Sequence, residues 1–220
     1  MSYPNYTRAE RMADAVVHGI GVIGAIVAVT AFFWMWSPLM GWPTFLSVAV
    51  YAGALILMLS ASAAYHLAAH TAARPILRRL DHAAIYLKIA GTFTPLSVVL
   101  GTAFGYAVLG LVWLLALVGA GAKLMAKRGS MTTFWWPQVA LGWVGLLLLV
   151  PLWSLLPAQS LGLIVAGGMI YTVAVIFYCW ESLRYANAIW HAFVLVATGC
   201  FFLGISSALA AALQLPPLPG

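Results

Sequence analysis

The stretch YAVLGLVWLLALVGAGAKLM, residues 106–125, has no acidic residue and a single base, Lys123, near its end. A helix needs about 20 mostly apolar residues to cross the hydrocarbon core of a bilayer, and this stretch has that length. Strands of membrane β-barrels instead alternate apolar and polar residues over about 10 positions. The stretch therefore predicts a transmembrane α-helix.

Runs of the same kind recur along the chain, so the predicted fold is an all-α membrane protein, a seven-transmembrane helix bundle. The predicted spans cover residues 14–36, 44–69, 81–100, 106–125, 134–156, 161–180 and 187–213. These spans and their short loops account for nearly all 220 residues, which predicts a single transmembrane domain over residues 1–220. The composition also indicates a membrane protein, because only 6% of the residues are charged, against about 25% in soluble globular proteins.

The basic residues predict the orientation of the bundle, because cytoplasmic loops of membrane proteins carry an excess of Lys and Arg. The bases outside the predicted spans are Arg8, Arg11, Arg74, Arg78, Arg79, Lys127, Arg128 and Arg184. They precede the first span or follow the second, fourth and sixth. We therefore expect a cytoplasmic N-terminus, an outside C-terminus and an odd number of spans. The net charge of +6 is interpreted as a membrane-surface feature, and no nucleic-acid partner is expected.

All five histidines and all four acidic residues lie near the predicted cytoplasmic ends of the spans. The candidate site residues in this region are Asp14, His18, Ser62, His66, His70, Asp81, His82 and His191. Imidazoles that converge from several helices are how helix bundles build metal sites, and zinc prefers imidazole nitrogen as a ligand. We therefore predict a zinc site with His66 and His191 as ligands. Asp81 is either a further ligand or the residue that holds a zinc-bound water.

Simpler interpretations stay open for several of these residues. His70 and His82 could be interfacial anchors. Asp14 and Asp81, in the first turns of their predicted helices, could serve the helix dipole, which is worth about 0.3–1 kcal/mol. Lys88, two turns into the third span, either snorkels toward the interface or forms an ion pair inside the bundle, with Asp81 and Asp14 as candidate partners.

Four motifs resemble those of one known family. RLDHAAIYL at residues 79–87, followed by IAGTFTP at 89–95, is very close to the third-helix signature of the hemolysin III branch of the progestin and adipoQ receptor family. SAAYH at 62–66 matches its Ser-x-x-x-His motif, and AIWHAFVL at 188–195 matches its seventh helix. Residues 10–20 resemble its N-terminal motif. The resemblance covers almost the entire chain and implies seven spans with the N-terminus inside.

The resemblance also implies a zinc ion held by a second-helix histidine and by two histidines of a His-x-x-x-His motif on the seventh helix. The corresponding residues here are His66, Asn187 and His191, so an asparagine stands in place of the first histidine of the motif. By the same resemblance, Asp81 supports the zinc-bound water and Ser62 lies beside it.

The sequence departs from the family pattern at three positions. Asn187 removes one imidazole, and a neutral amide oxygen is a poorer zinc ligand, so the remaining histidines would rely on Asp81 and on His70, one turn after the second-helix histidine. Phe201 stands near the place of a further family histidine. Lys88 occupies a position where the family typically has an apolar residue.

The predicted function is that of a zinc-dependent, hydrolase-like protein that cleaves a lipid amide or ester and acts in membrane lipid homeostasis, in the inner membrane of a bacterium. Asp81 would orient or deprotonate the attacking water, and Ser62 would assist. The alternative is a non-enzymatic membrane-homeostasis or sensory protein with a degraded zinc site, which Asn187 favours. A third possibility, a pore-forming hemolysin, rests on the family's name and is disfavoured by helices without a polar stripe.

Overall fold

The regular secondary structure of the chain is entirely helical over residues 6–68, 71–126, 134–180 and 182–214, which are those described by the computed structural model. The helices are α1 (Arg8–Trp36), α2 (Trp42–Leu67), α3 (Arg74–Leu100), α4 (Ala103–Met125), α5 (Trp136–Gly145), α6 (Leu149–Leu152), α7 (Ala158–Cys179) and α8 (Ala186–Leu213). The prediction of an all-α protein is therefore confirmed.

Within the described residues, six helices are long and apolar enough to cross a membrane, namely α1–α4, α7 and α8. They correspond to six of the seven predicted spans. The remaining predicted span, residues 134–156, corresponds to a shorter apolar segment, Trp136–Leu152. In this segment the 3₁₀ turn Leu146–Leu148 separates α5 from α6. Pro151 accounts for the interruption, because its ring clashes with the carbonyl four residues earlier, inside that turn.

α1 begins two turns before the apolar pattern predicts, because its first turn is capped by side chains. The backbone N–H of Glu10 donates to Thr7 Oγ1 at 3.3 Å, and the Thr7 N–H donates to a carboxylate oxygen of Glu10 at 2.8 Å. This reciprocal pair is a capping box, which satisfies two of the N–H groups that a helix start leaves unpaired.

α3 also begins earlier than predicted, at Arg74. Pro75 lies in its first turn, where a proline costs no helical hydrogen bond. As a result, Asp14 and Asp81 both lie about two turns inside their helices. The helix dipole acts on charges within the first turn, so the helix-dipole interpretation of the two aspartates is wrong.

α3 is the central helix of the bundle, with α2, α4, α5 and α8 all packed against it. Small residues allow the close approach that is typical of helices in membranes. A Cβ atom on Gly91 of α3, for example, would lie 2.8 Å from the Cβ of Ala54 in α2. α1 packs against α2 and α8, and this contact brings the starts of α1 and α8 beside the end of α2.

Large apolar side chains point away from the bundle on its outer helices. Val27 of α1, Val118 of α4 and Ile176 of α7 are 61%, 63% and 58% exposed. Soluble monomers rarely show apolar patches larger than a few hundred Å². These outer surfaces therefore suit contact with lipid.

The packing of α5 against α3 can be tested with two glycines one turn apart. A methyl group on Gly145 would overlap the buried ring of Phe93 in α3, whereas one on Gly142 would meet nothing within 4 Å. We expect Gly145→Ala to lower the free energy of unfolding by about 1–3 kcal/mol through overpacking. Gly142→Ala, the matched control, should be neutral or slightly stabilising. Thermal unfolding in detergent measures both variants, and equal melting temperatures would contradict this packing.

Candidate metal centre

Three histidines from three helices meet where α1 and α8 begin and α2 ends. They are His18 in α1, His66 in the last turn of α2 and His191 in the second turn of α8. One ring nitrogen from each histidine lies within 4.8 Å of the other two. The ring centres of His18 and His191 are 4.3 Å apart, and the His66 ring is 4.8 Å and 4.6 Å from them. We call these three residues the histidine triad.

Backbone carbonyls set the tautomers of two members of the triad. His18 Nδ1 is 2.8 Å from the Asp14 carbonyl oxygen, and His191 Nδ1 is 2.8 Å from the Asn187 carbonyl oxygen. A carbonyl only accepts, so each Nδ1 carries a proton and donates it. In the neutral rings the lone pair is then on Nε2, the state in which an imidazole binds a metal.

The hydroxyl of Ser62 lies between these two lone pairs. Its Oγ is 3.3 Å from His18 Nε2 and 3.4 Å from His191 Nε2. The single hydroxyl proton can serve only one of the two nitrogens at a time. Ser62 therefore lies beside His18 and His191 of the triad.

The Asp14 carboxylate contacts all three histidines. Its Oδ1 is 3.4 Å from His18 Nδ1 and 3.6 Å from His191 Nδ1, and its Oδ2 is 3.4 Å from His66 Nδ1. The side chain of Asp14 is only 13% exposed. A carboxylate behind metal-binding imidazoles fixes their orientation and raises their basicity, and Asp14 has the position for that role.

Asn187 joins the triad through hydrogen bonds. Its side-chain N–H₂ donates to Asp14 Oδ1 at 2.7 Å and lies 3.1 Å from His66 Nδ1. The amide therefore links α8 to α1 and α2. The third imidazole of the triad is that of His18 in α1, and not a side chain at position 187. The sequence instead predicts His66 and His191 as the histidine ligands, with His18 as an additional candidate. The i, i+4 spacing of Asp14 and His18, which puts both on one helix face, is the signal that could have identified it.

Residues 6–202 match the family described as Haemolysin-III related. The chain belongs to this family. It is 33% identical over 201 residues to the "Hemolysin-3 homolog" of Bacillus subtilis (strain 168), which covers 90% of this chain and 93% of that protein. It is also 33% identical over 194 residues to the "Hemolysin-3" of Bacillus cereus, covering 88% and 89% of the two chains. Together with the apolar helices, this membership makes it an integral membrane protein.

Asp81 and His82, two further candidates, are not members of the histidine triad. Asp81 is buried in α3, but among the described residues the carboxylate within ion-pair distance of the triad is that of Asp14. The role of Asp81 at a zinc-bound water stays a prediction. His82 is half-buried on α3 and is not part of the cluster. His70 lies outside the described residues.

Lys88 differs from both expectations for it. It is 4% exposed, so it does not snorkel to the interface. Its Nζ lies 4.4 Å from the ring centre of Tyr171 and 4.9 Å from that of Phe201. In the described part of the chain, neither Asp81 nor Asp14 forms an ion pair with it. Phe201, near the place of a family histidine, instead packs against the lysine.

The start of α8 is held against α1 by Glu10. The residue before α8, Tyr185, has φ of 63°, a left-handed conformation that is uncommon for a residue other than glycine. Its backbone N–H donates to Glu10 Oε1 at 3.2 Å. This bond ties the turn before α8 to the first turn of α1, close to Asn187 and the triad.

The Asn187 bridge can be tested by Asn187→Leu, which removes the amide and keeps a side chain of similar size. We expect the free energy of unfolding to fall by about 1–3 kcal/mol, because a largely buried carboxylate loses its closest donor. Thr172→Val is the control, since that hydroxyl donates to the carbonyl of Gly168 within its own helix, at 2.9 Å. Thermal unfolding in detergent compares them. An Asn187→Leu variant as stable as the control would contradict the bridge.

Proposed function

We propose that this chain is a zinc-dependent hydrolase of lipid amides or esters that acts in membrane lipid homeostasis. The observation that carries the proposal is the convergence of His18, His66 and His191 from three helices. Membership of the Haemolysin-III related family supports a membrane protein of this type. The lipid substrate would reach the triad from the bilayer.

The donor set fits a catalytic zinc ion better than a structural one. Catalytic zinc sites use three protein ligands and leave a fourth position for water or substrate, and three histidines are one such set. His18 and His191 offer Nε2 lone pairs, while their protonated Nδ1 atoms are held by carbonyls. Zinc bound there would polarise a carbonyl and lower the pKa of a water ligand to about 7.

The residues around the triad have distinct roles in this proposal. Asp14 holds the imidazoles in orientation, and Asn187 holds Asp14. Asp81 orients the attacking water and takes its proton, as the family resemblance implies. The Ser62 hydroxyl, beside two Nε2 atoms, assists by donating a hydrogen bond to the carbonyl oxygen of the substrate.

We further propose that the segment Trp136–Leu152 completes a bundle of seven spans, with the N-terminus in the cytoplasm and the C-terminus outside. The alternation of basic and uncharged loops supports this orientation. It puts the triad near the inner leaflet. The Bacillus relatives support the inner membrane of a bacterium as the location, with membrane lipids as the partners.

A non-enzymatic function is the competing proposal, and one observation favours it. The polar groups of the centre satisfy one another, since Asn187 donates to Asp14 and carbonyls accept from His18 and His191. Such a network can link α1, α2 and α8 as a structural or sensory element without catalysis. Metal binding discriminates between the two proposals.

Zinc affinity of the purified protein is the first test. We expect the wild type to bind about one zinc ion per chain. His18→Ala, His66→Ala and His191→Ala should each weaken binding by about 100-fold or more, since even residues behind the ligands account for 10–100-fold. His82→Ala is the control, because His82 lies outside the cluster. Competition with a fluorescent chelator measures the affinity. Wild-type affinity in the His18 variant would contradict a ligand from α1.

Asn187→His separates the hydrolase from the non-enzymatic alternative. If the triad is the natural zinc site, the wild type binds zinc and hydrolyses a lipid amide, and His66→Ala abolishes both properties. If zinc binding appears only in Asn187→His, the natural protein is not a metal hydrolase. Elemental analysis and release of fatty acid from a short ceramide in detergent are the two measurements.

A further inference from the structure

Glu10 has no part in the proposed metal centre, yet it lies on the same face of α1 as two residues of that centre. Glu10, Asp14 and His18 are spaced four residues apart, so they follow one another along one side of the helix. Each of them contacts the start of α8. In order along the two segments, the contacts are Glu10 with Tyr185, Asp14 with Asn187 and His18 with His191. Glu10 therefore makes the first of three contacts that align α1 with α8.

The turn before α8 is strained and depends on a partner from α1. Tyr185 has φ of 63°, a left-handed conformation that costs free energy for any residue with a Cβ atom and not for glycine. Within the described residues, no side chain caps the start of α8. The Tyr185 N–H donates to Glu10 Oε1 at 3.2 Å. This bond stabilises a turn that its own sequence does not favour.

The two carboxylate oxygens of Glu10 serve different helices. Oε2 accepts from the N–H and the hydroxyl of Thr7 at 2.8 Å and 2.7 Å, whereas Oε1 accepts from Tyr185. The capping box of α1 therefore holds the carboxylate in the orientation that reaches the turn before α8. Glutamine has one side-chain acceptor oxygen in place of two, so it can keep the cap or the turn but not both.

We propose that Glu10 is a positioning residue for the metal centre. It holds the turn before α8, and thereby holds Asn187 and His191 in register with α1. Tyr185 precedes these two residues by less than two helical turns, so a change in the turn moves both side chains. The expected effect on zinc rests on the proposed function, whereas the positioning itself is a property of the metal-free chain.

Zinc affinity of Glu10→Gln in detergent tests this role. We expect binding to weaken about tenfold, because an aligned turn populated in about one molecule in ten lowers the apparent affinity by that factor. Adding Tyr185→Gly should restore most of the affinity, since glycine adopts the left-handed conformation without help from Glu10. Tyr185→Gly alone should bind zinc as the wild type does. A loss caused only by general destabilisation would not be rescued in this way.

Two control variants address loss of a cap and relief of strain at other places. Thr102→Ala removes the side-chain cap of α4, where the hydroxyl accepts from the Gly105 N–H at 3.1 Å, and should leave zinc affinity unchanged. Gln214→Gly relieves a left-handed residue at the other end of α8, where φ is 52°. It should not restore affinity to Glu10→Gln.

Hydrogen exchange of the metal-free protein measures the positioning directly. The Ile189 N–H donates to the Tyr185 carbonyl at 2.9 Å, so its exchange rate reports whether the turn before α8 is closed. We expect this N–H to exchange about tenfold faster in Glu10→Gln, and to regain its protection when Tyr185→Gly is added.

The two measurements keep this role separate from the proposed function. A wild type that binds no zinc would end the hydrolase proposal, and the exchange of the Ile189 N–H would still decide the role of Glu10. That role is overturned if the N–H exchanges equally in Glu10→Gln and in the wild type. It is also overturned if a zinc-binding wild type and Glu10→Gln have the same affinity, or if Tyr185→Gly restores none of the loss.

Discussion

The Asp14 carboxylate lies among side chains from α2 and α8, and the arrangement of this end of the bundle depends on it. Oδ1 accepts the Asn187 amide at 2.7 Å, and Oδ2 lies 3.4 Å from His66 Nδ1. A carboxylate that is withdrawn from water is stabilised only while such partners remain in place. Since they come from two other helices, a shift of α1 would separate them. The contacts that neutralise Asp14 therefore also fix the positions of the imidazoles.

Polar contacts matter here because burial of apolar surface does not draw helices together in lipid. Helix association in a bilayer relies on close packing and on interhelical hydrogen bonds. α8 uses both at the end opposite the triad. There Ser160 donates to Ser207 at 2.8 Å, and a Cβ atom on Gly204 would lie 3.1 Å from the Ser160 carbonyl oxygen. α8 is thus fixed to α1 and α2 at one end and to α7 at the other.

The sequence predicts the features that depend on local composition and misses those that depend on contacts. Six spans follow from the length and hydropathy of their apolar runs. The break after Gly145 was missed because residues 134–156 carry no charge and only Pro151 marks the interruption. The early start of α3 was missed because its first two turns carry arginines, which an apolar pattern excludes from the span.

The candidate site shows the same division. The motifs on α2 and α8 identify Ser62, His66 and His191 from the sequence. The assignment of His18 as the third imidazole requires the contact between α1 and α8, which no short motif records. Asn187 illustrates the limit most clearly. As a replaced ligand it weakens the prediction of a metal site, yet in the structure its amide supports the carboxylate behind three histidines.

The two polar centres of the bundle are related by charge. Thr198, whose Oγ1 is hydrogen-bonded to the Tyr171 hydroxyl beside Lys88, follows His191 by seven residues. Residues seven apart lie on one helix face, so both side chains face the interior that contains the triad. The Lys88 ammonium therefore repels a cation at the triad. The Asp14 carboxylate contacts the imidazoles directly, so it attracts that cation from a shorter distance and offsets the repulsion. The closer charge dominates at the triad, so this end of the bundle favours a cation.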